Sequence, residues 1–225
     1  MILVIILIIF AYLLGSASSA ILLCRLYYNV DIRLLGSKNP GASNVQREFG
    51  WKMGLAVFII DALKGAAAVT LAYLTDLPST DERFVSLQLL LGLAVMLGHI
   101  FPIFFKFKGG KGVSVLVGIL AAMHPWAMII CLAIFIITLL ITKYVSLSVL
   151  IASIFYPIMI NSVFGLWLIP DETITLRIFS FVAVAIIGLS HISNIKRLIN
   201  HTENKFYLKK PVERTTERKR LIKKD

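Results

Sequence analysis

Residues 113 to 141 read VSVLVGILAAMHPWAMIICLAIFIITLLI, an uncharged apolar stretch broken once, at His124-Pro125. A helix crosses the hydrocarbon core with about 20 apolar residues. Proline inside a helix removes a backbone donor and breaks the turn. The stretch is long for one crossing and is interrupted where two short crossings would meet. If it crossed once, the loop at 106 to 111 and the basic C-terminal tail would fall on opposite sides of the membrane. Two crossings put Arg25 to Lys52, Lys106 to Lys111, Lys143 and the tail on one side, and the acidic loops Asp76 to Glu82 and Asp171-Glu172 on the other, as the positive-inside rule asks. A re-entrant hairpin over the same residues keeps the same parity.

Working outward, apolar runs at 1 to 24, 52 to 74, 84 to 105, 145 to 169 and 174 to 192 supply the other spans. The expected fold is all-α: a polytopic integral membrane protein of about seven transmembrane helices, N-terminus outside and C-terminus cytoplasmic. The composition agrees, with 58% hydrophobic and 16% charged residues and a mean hydropathy of +0.87. A soluble domain of this length would not stay dispersed with that balance. The first run ends in Ser18-Ser19-Ala20 but has no basic residue ahead of it, so it reads as an uncleaved span and not a secretory signal. Of the net charge of +11, residues 196 to 225 carry eleven Lys or Arg against four Asp or Glu, hence +7. Beside membrane spans such a tail reads as a cytoplasmic segment drawn to anionic lipid headgroups, and no nucleic-acid partner is expected. Cys24 and Cys131 sit in apolar runs with no CxxC, and the four histidines are scattered, so neither disulfide nor metal chemistry is expected.

Three loops on the basic side concentrate the polar residues. Residues 31 to 50, DIRLLGSKNPGASNVQREFG, are too rich in Gly, Asn, Ser and Pro to be helical throughout. Gly36 and Gly41 let backbone N–H groups converge, Ser37, Asn39, Ser43 and Asn44 add neutral donors, and Arg47 adds a charged fork, a set that suits a phosphate. Residues 106 to 114, KFKGGKGVS, place Lys111 among Gly109, Gly110 and Gly112 and run through Ser114 into an apolar helix, and a helix N-terminus behind a glycine loop is an anion site. The nucleotide-binding pattern G-x-x-x-x-G-K-[ST] fails, because Gly112 follows Lys111 and Phe105 stands at the first glycine. Residues 191 to 203, HISNIKRLINHTE, put His191 and Asn194 on one helical face at the end of the last span. Asp61 and Lys64, three apart near mid-bilayer, read as a structural ion pair.

Taken in this order, the loops resemble the three signature motifs of the bacterial acyl-phosphate-dependent glycerol-3-phosphate acyltransferases. The first is matched by Gly36 to Asn44 with Arg47, the second by Gly109-Gly110-Lys111-Gly112-Val113, and the third by His191, Asn194, Ile195, Arg197, Leu198 and Glu203. Gly15-Ser16, Asp61 to Gly65 and Gly98-His99-Ile100-Phe101-Pro102 are also similar to the family. Ser114-Val115 departs from its usual Ala-Thr, and His201 stands where the family has glycine.

The resemblance implies transfer of a fatty acyl group from acyl phosphate to the 1-hydroxyl of glycerol 3-phosphate, giving lysophosphatidate for phospholipid synthesis in a bacterial cytoplasmic membrane, without a cofactor. It assigns catalytic roles to Ser37, Arg47, His191 and Asn194, glycerol 3-phosphate binding to the glycines of the second motif, and a structural role to Glu203. Residues 1 to 203 would then form one catalytic domain and 204 to 225 a basic tail. Acyl phosphate is an activated anhydride, so charge neutralisation and alignment are the main demands on the protein. The His-Asp spacing of other acyltransferases is missing: Phe104, Ile129, Lys196 and Phe206 stand five residues after the histidines. A transporter would be expected to show matching halves with broken helices, and none is visible. A lipid-binding scaffold is the other class to separate from an enzyme.

Overall fold

The structure, a computed structural model, describes residues 1 to 162 and 174 to 207. Its helices are α1 (Ile2–Ser16), α2 (Ser19–Tyr28), α3 (Ala42–Phe49), α4 (Trp51–Thr70), α5 (Glu82–Ile100), α6 (Val113–Met123), α7 (Pro125–Thr142), α8 (Val145–Ile160), α9 (Ile174–Ser190) and α10 (Ile192–Ile199), and the described residues contain no strand. Three segments are long and apolar enough to cross a bilayer unaided: Trp51–Leu74, Glu82–Phe105 and Pro125–Thr142. Two bent pairs, α1 with α2 at 40° and α9 with α10 at 61°, raise the number to five, and α6 and α8 are shorter apolar helices. The seven apolar segments are those read from the sequence. The end of the 145 to 169 run and the acidic pair Asp171-Glu172 lie outside the described residues.

The break at 124 is where expected, since Pro125 starts α7 at a position where its missing N–H costs nothing. At 11 residues, α6 is about 16 Å long, roughly half the hydrocarbon thickness. Val113 borders the same cavity as Phe58, and Ile119 lies with Val69 against Gly92. Helix α6 therefore runs beside α4 in the same direction, starting well inside the bundle. The glycine loop ahead of it is drawn in to that depth. Helix α7 returns, bringing Phe135 back to the level of Phe58.

Close helix contacts depend on glycine. A Cβ at Gly65 would strike the Val115 carbonyl, and one at Gly118 the Ala62 carbonyl, so α4 and α6 touch backbone to backbone. Gly15 and Gly98 do the same for α1 and α5. Lipid is as apolar as leucine, so close packing of small residues, and not burial from water, holds such pairs. Helix α7 has only 6% of its apolar window buried, and Ile136, Ile137 and Leu140 are exposed, as a lipid-facing helix requires. Gly118→Val is expected to force α4 from α6 and destabilise the fold by about 1–3 kcal/mol, read as a lower unfolding temperature in detergent, whereas Ile137→Val should change little.

Basic loops gather at one end of this bundle. The Arg33 guanidinium donates to the Phe105 carbonyl at 2.9 Å, the Phe206 N–H to the Lys143 carbonyl at 2.7 Å, and the Gln46 amide to the Tyr207 carbonyl at 3.1 Å. The last two contacts bind the chain beyond residue 203 to the domain. Residues 208 to 225, which hold most of the basic tail, lie outside the described residues.

Candidate active site

Asn29 ends α2 in the left-handed conformation, and Asp31 caps the short turn Ile32–Leu34 by accepting from the Arg33 N–H. The Arg33 guanidinium, followed by that of Arg25, holds the Asp31 carboxyl well below the usual carboxylate range. Past this anchor the chain turns at Gly36, whose φ of 54° and contact with the Asn44 amide exclude a side chain. Buried Asn44 closes the loop: its Oδ1 accepts from the Ser37 N–H at 2.9 Å and its Nδ2 donates to the Leu35 carbonyl at 3.0 Å. Arg47, one turn along α3, donates to Ser43 Oγ at 3.1 Å and to Ser37 Oγ at 3.3 Å.

The second loop is folded onto the end of α5. The Gly109 N–H donates to the Ile100 carbonyl at 3.1 Å and the Gly110 N–H to the His99 carbonyl at 3.0 Å. A Cβ at Gly110 would collide with the His99 ring. These two glycines therefore seat the loop, and Gly112, with φ of 81°, turns it into α6. Between them Lys111 reaches across to Asn194 Oδ1.

In the third motif Asn194 Nδ2 donates to Glu203 Oε1 at 2.9 Å, and Arg197 Nε to Glu203 Oε2 at 2.7 Å. Glu203 thus braces the Asn194 amide, which in turn holds Lys111. The His191 ring meets the Ile187 carbonyl through Nδ1 at 2.8 Å. A carbonyl only accepts, so Nδ1 carries the hydrogen and Nε2 of the neutral ring is an acceptor. The sequence showed no carboxylate to fix that tautomer; a backbone carbonyl one turn back does it instead.

The three loops enclose a polar cavity of about 160 Å³. From the first loop come Ser37, Asn39, Gly41, Asn44 and Arg47; from the second Lys111, Gly112 and Ser114; from the third His191, Asn194 and Glu203. Gly36, Gly109, Gly110 and Lys64 are not in its wall. Val115, at the position of the family's threonine, is buried against α4, so of this pair it is Ser114 that lines the cavity. His201 has φ of 55°, a left-handed conformation that explains the family's glycine there. Burial, with the positive charge of Arg197, pulls the Lys111 amine down to about 8; Glu203 opposes the shift and Arg47 adds to it.

Two further wall residues are Asp61 and His99, which the sequence marks only as an ion-pair member and part of a supporting stretch. Asp61 Oδ1 accepts from Lys64 Nζ at 2.9 Å and from Ser19 Oγ at 2.6 Å, and lies 3.8 Å from His99 Nδ1. Lys64 also donates to the Ala17 carbonyl. A second, largely apolar cavity of about 150 Å³ lies between α4, α6, α7, α8 and α9, and Phe58, Val113, Phe135 and Val149 border both. No group of side chains able to hold a metal ion occurs among the described residues.

The sequence profile of the glycerol-3-phosphate acyltransferases matches residues 5–201. The chain belongs to the glycerol-3-phosphate acyltransferase family. Chlorobaculum parvum has a glycerol-3-phosphate acyltransferase 37% identical over 215 residues, covering 87% of this chain and 93% of the relative. For glycerol-3-phosphate acyltransferase 2 of Bacillus anthracis the values are 40% over 197 residues, 88% and 96%. The crystal structure of PlsY (YgiH), an integral membrane glycerol 3-phosphate acyltransferase, in its glycerol 3-phosphate form has a TM-score of 0.80 to this fold at 33% identity, covering 91% of this chain and 96% of that one. Its lysophosphatidic acid form gives 0.78 at 32% identity. This acyltransferase is thus a multi-pass membrane enzyme that makes lysophosphatidate for phospholipid synthesis.

Proposed function

We propose that the polar cavity holds glycerol 3-phosphate, that the apolar cavity receives the chain of an acyl phosphate, and that the acyl group passes to the 1-hydroxyl where the two cavities meet. The observation that carries this reading is the shared wall of Phe58, Val113, Phe135 and Val149. An alcohol that carries a phosphate and a donor that carries an alkyl chain meet at such a junction. Lys111, the N–H groups opening α6, and the Arg47–Ser37 pair supply cations and donors for phosphate. The hydroxyl oxygen bonds to the acyl carbonyl carbon, and the bond from that carbon to the phosphate oxygen breaks. The phosphate leaves with the electron pair, and a substrate phosphate oxygen takes the hydroxyl proton. His191 Nε2 and Asn194 orient the hydroxyl, Glu203 braces Asn194, and the loop glycines shape the anion site. The binding of glycerol 3-phosphate and lysophosphatidic acid in the two PlsY crystal forms supports the reading.

Purified protein given labelled glycerol 3-phosphate and a long-chain acyl phosphate should form labelled lysophosphatidate, while the matching acyl thioester should not replace the donor. Product from the thioester alone would overturn the assignment.

In this reading the site lies on the cytoplasmic side, and anionic lipid headgroups are the expected partners of the basic tail. With Cys24 and Cys131 replaced by alanine, a cysteine at Ser79 should react with an impermeant thiol reagent in intact cells and one at Lys219 should not. Labelling at Lys219 reverses the orientation.

A further inference from the structure

Lys64 and Ser19 both bind Oδ1 of Asp61, and Oδ2 has no hydrogen-bond partner among the described residues. Asp61 is 1% exposed, yet it is part of the polar cavity's wall. It stands three residues along α4 from Phe58, which borders both cavities, so Asp61 lies about one helical turn from the junction. His99, 4% exposed, is in the same wall, and its buried Nδ1 is without a partner, because 3.8 Å to Asp61 is too long for a hydrogen bond. A carboxylate oxygen without a partner and an unpaired ring nitrogen in one cavity wall suit a small group that can hydrogen-bond to both. A hydroxyl is such a group.

We infer that Asp61 is a substrate-binding residue that accepts a hydrogen bond from the secondary hydroxyl of glycerol 3-phosphate, with His99 as the neighbouring partner. This rests on the reading of the polar cavity as the glycerol 3-phosphate site and adds to it the group that tells the two hydroxyls apart. The phosphate is held at the cationic end by Arg47 and Lys111. Fixing the middle hydroxyl on Asp61 leaves the primary one to face the acyl carbonyl. Asp61 suits the hydroxyl that does not react: taking up a proton would break its buried pair with Lys64, and breaking such a pair is costly.

The test compares glycerol 3-phosphate with 3-hydroxypropyl phosphate, which keeps the phosphate and the primary hydroxyl and lacks only the secondary one. The native enzyme should favour glycerol 3-phosphate in kcat/KM by roughly 10- to 150-fold, the range for a hydrogen bond to a charged group. Asp61→Leu with Lys64→Met removes both charges together, so neither is left unpaired, and should bring the ratio close to one. A purely structural role lowers both activities alike and leaves the ratio unchanged, which would overturn the inference. Equal use of both alcohols by the native enzyme would also overturn it, without any variant. Lys111→Ala, measured in parallel, should raise KM for both alcohols equally because both carry the phosphate. If it raises neither, the cavity assignment fails and the inference falls with it.

Discussion

Lys111→Ala should raise KM for glycerol 3-phosphate roughly 10- to 150-fold, the cost of a lost charge-assisted hydrogen bond to phosphate, and raise KM for acyl phosphate much less. Lys111 is held in place by Asn194 and, through Asn194, by Glu203 and Arg197, so its ammonium is aimed before the substrate arrives. Its pH dependence gives a second readout. With the amine pulled down to about 8, the cation is present below that pH and lost above it. The phosphate of the substrate becomes a dianion above about pH 6. The kcat/KM for glycerol 3-phosphate should therefore be greatest between those values and fall as pH rises through 8. Arginine stays charged throughout, so Lys111→Arg should remove the fall at high pH. Equal KM effects on both substrates in Lys111→Ala, or the same alkaline fall in Lys111→Arg, would mean that the lysine does not contact this phosphate.

His191→Gln should lower kcat by about 10²-fold or more, within the range for a group that aligns or deprotonates a nucleophile, while the pH profile keeps its acid-side inflection. The Ile187 carbonyl holds Nδ1, which leaves Nε2 to accept from the attacking hydroxyl. A proton resting on Nε2 would put a further positive charge in a cavity that already contains Arg47 and Lys111. A substrate phosphate is the better acceptor, and its ionisation near pH 6 belongs to the substrate and survives the substitution. An inflection present in the native enzyme and lost in His191→Gln, with chemistry rate-limiting in both, would make His191 the general base.

Much of this was legible because lipid imposes simple rules on sequence. Apolar length marked the seven segments, and loop charge fixed which loops share an end. The Arg33–Phe105 and Phe206–Lys143 contacts join those same loops. The three polar loops could be picked out since Gly, Asn and Ser are out of place beside spans. Their connections could not be read. Lys111 and Asn194 are 83 residues apart, and no spacing rule reaches that far. Gly109 and Gly110 read as a phosphate cradle, yet the fold uses them to seat the loop on His99, a function that local sequence does not distinguish from anion binding. Asp61 read as a structural pair with Lys64 because spacing of three is visible along one helix. Its place in the cavity wall depends on α6 starting deep in the bundle, which only packing reveals.

The arrangement of the two substrates is tested most directly by a crystal structure with glycerol 3-phosphate and a non-hydrolysable acyl phosphonate bound together. The phosphate of glycerol 3-phosphate should lie about 3 Å from Lys111 Nζ, with Arg47 and the start of α6 facing it. The alkyl chain should enter the apolar cavity past Phe58 and Val113. A phosphate bound away from Lys111, or a chain leaving the site by another route, would contradict that arrangement.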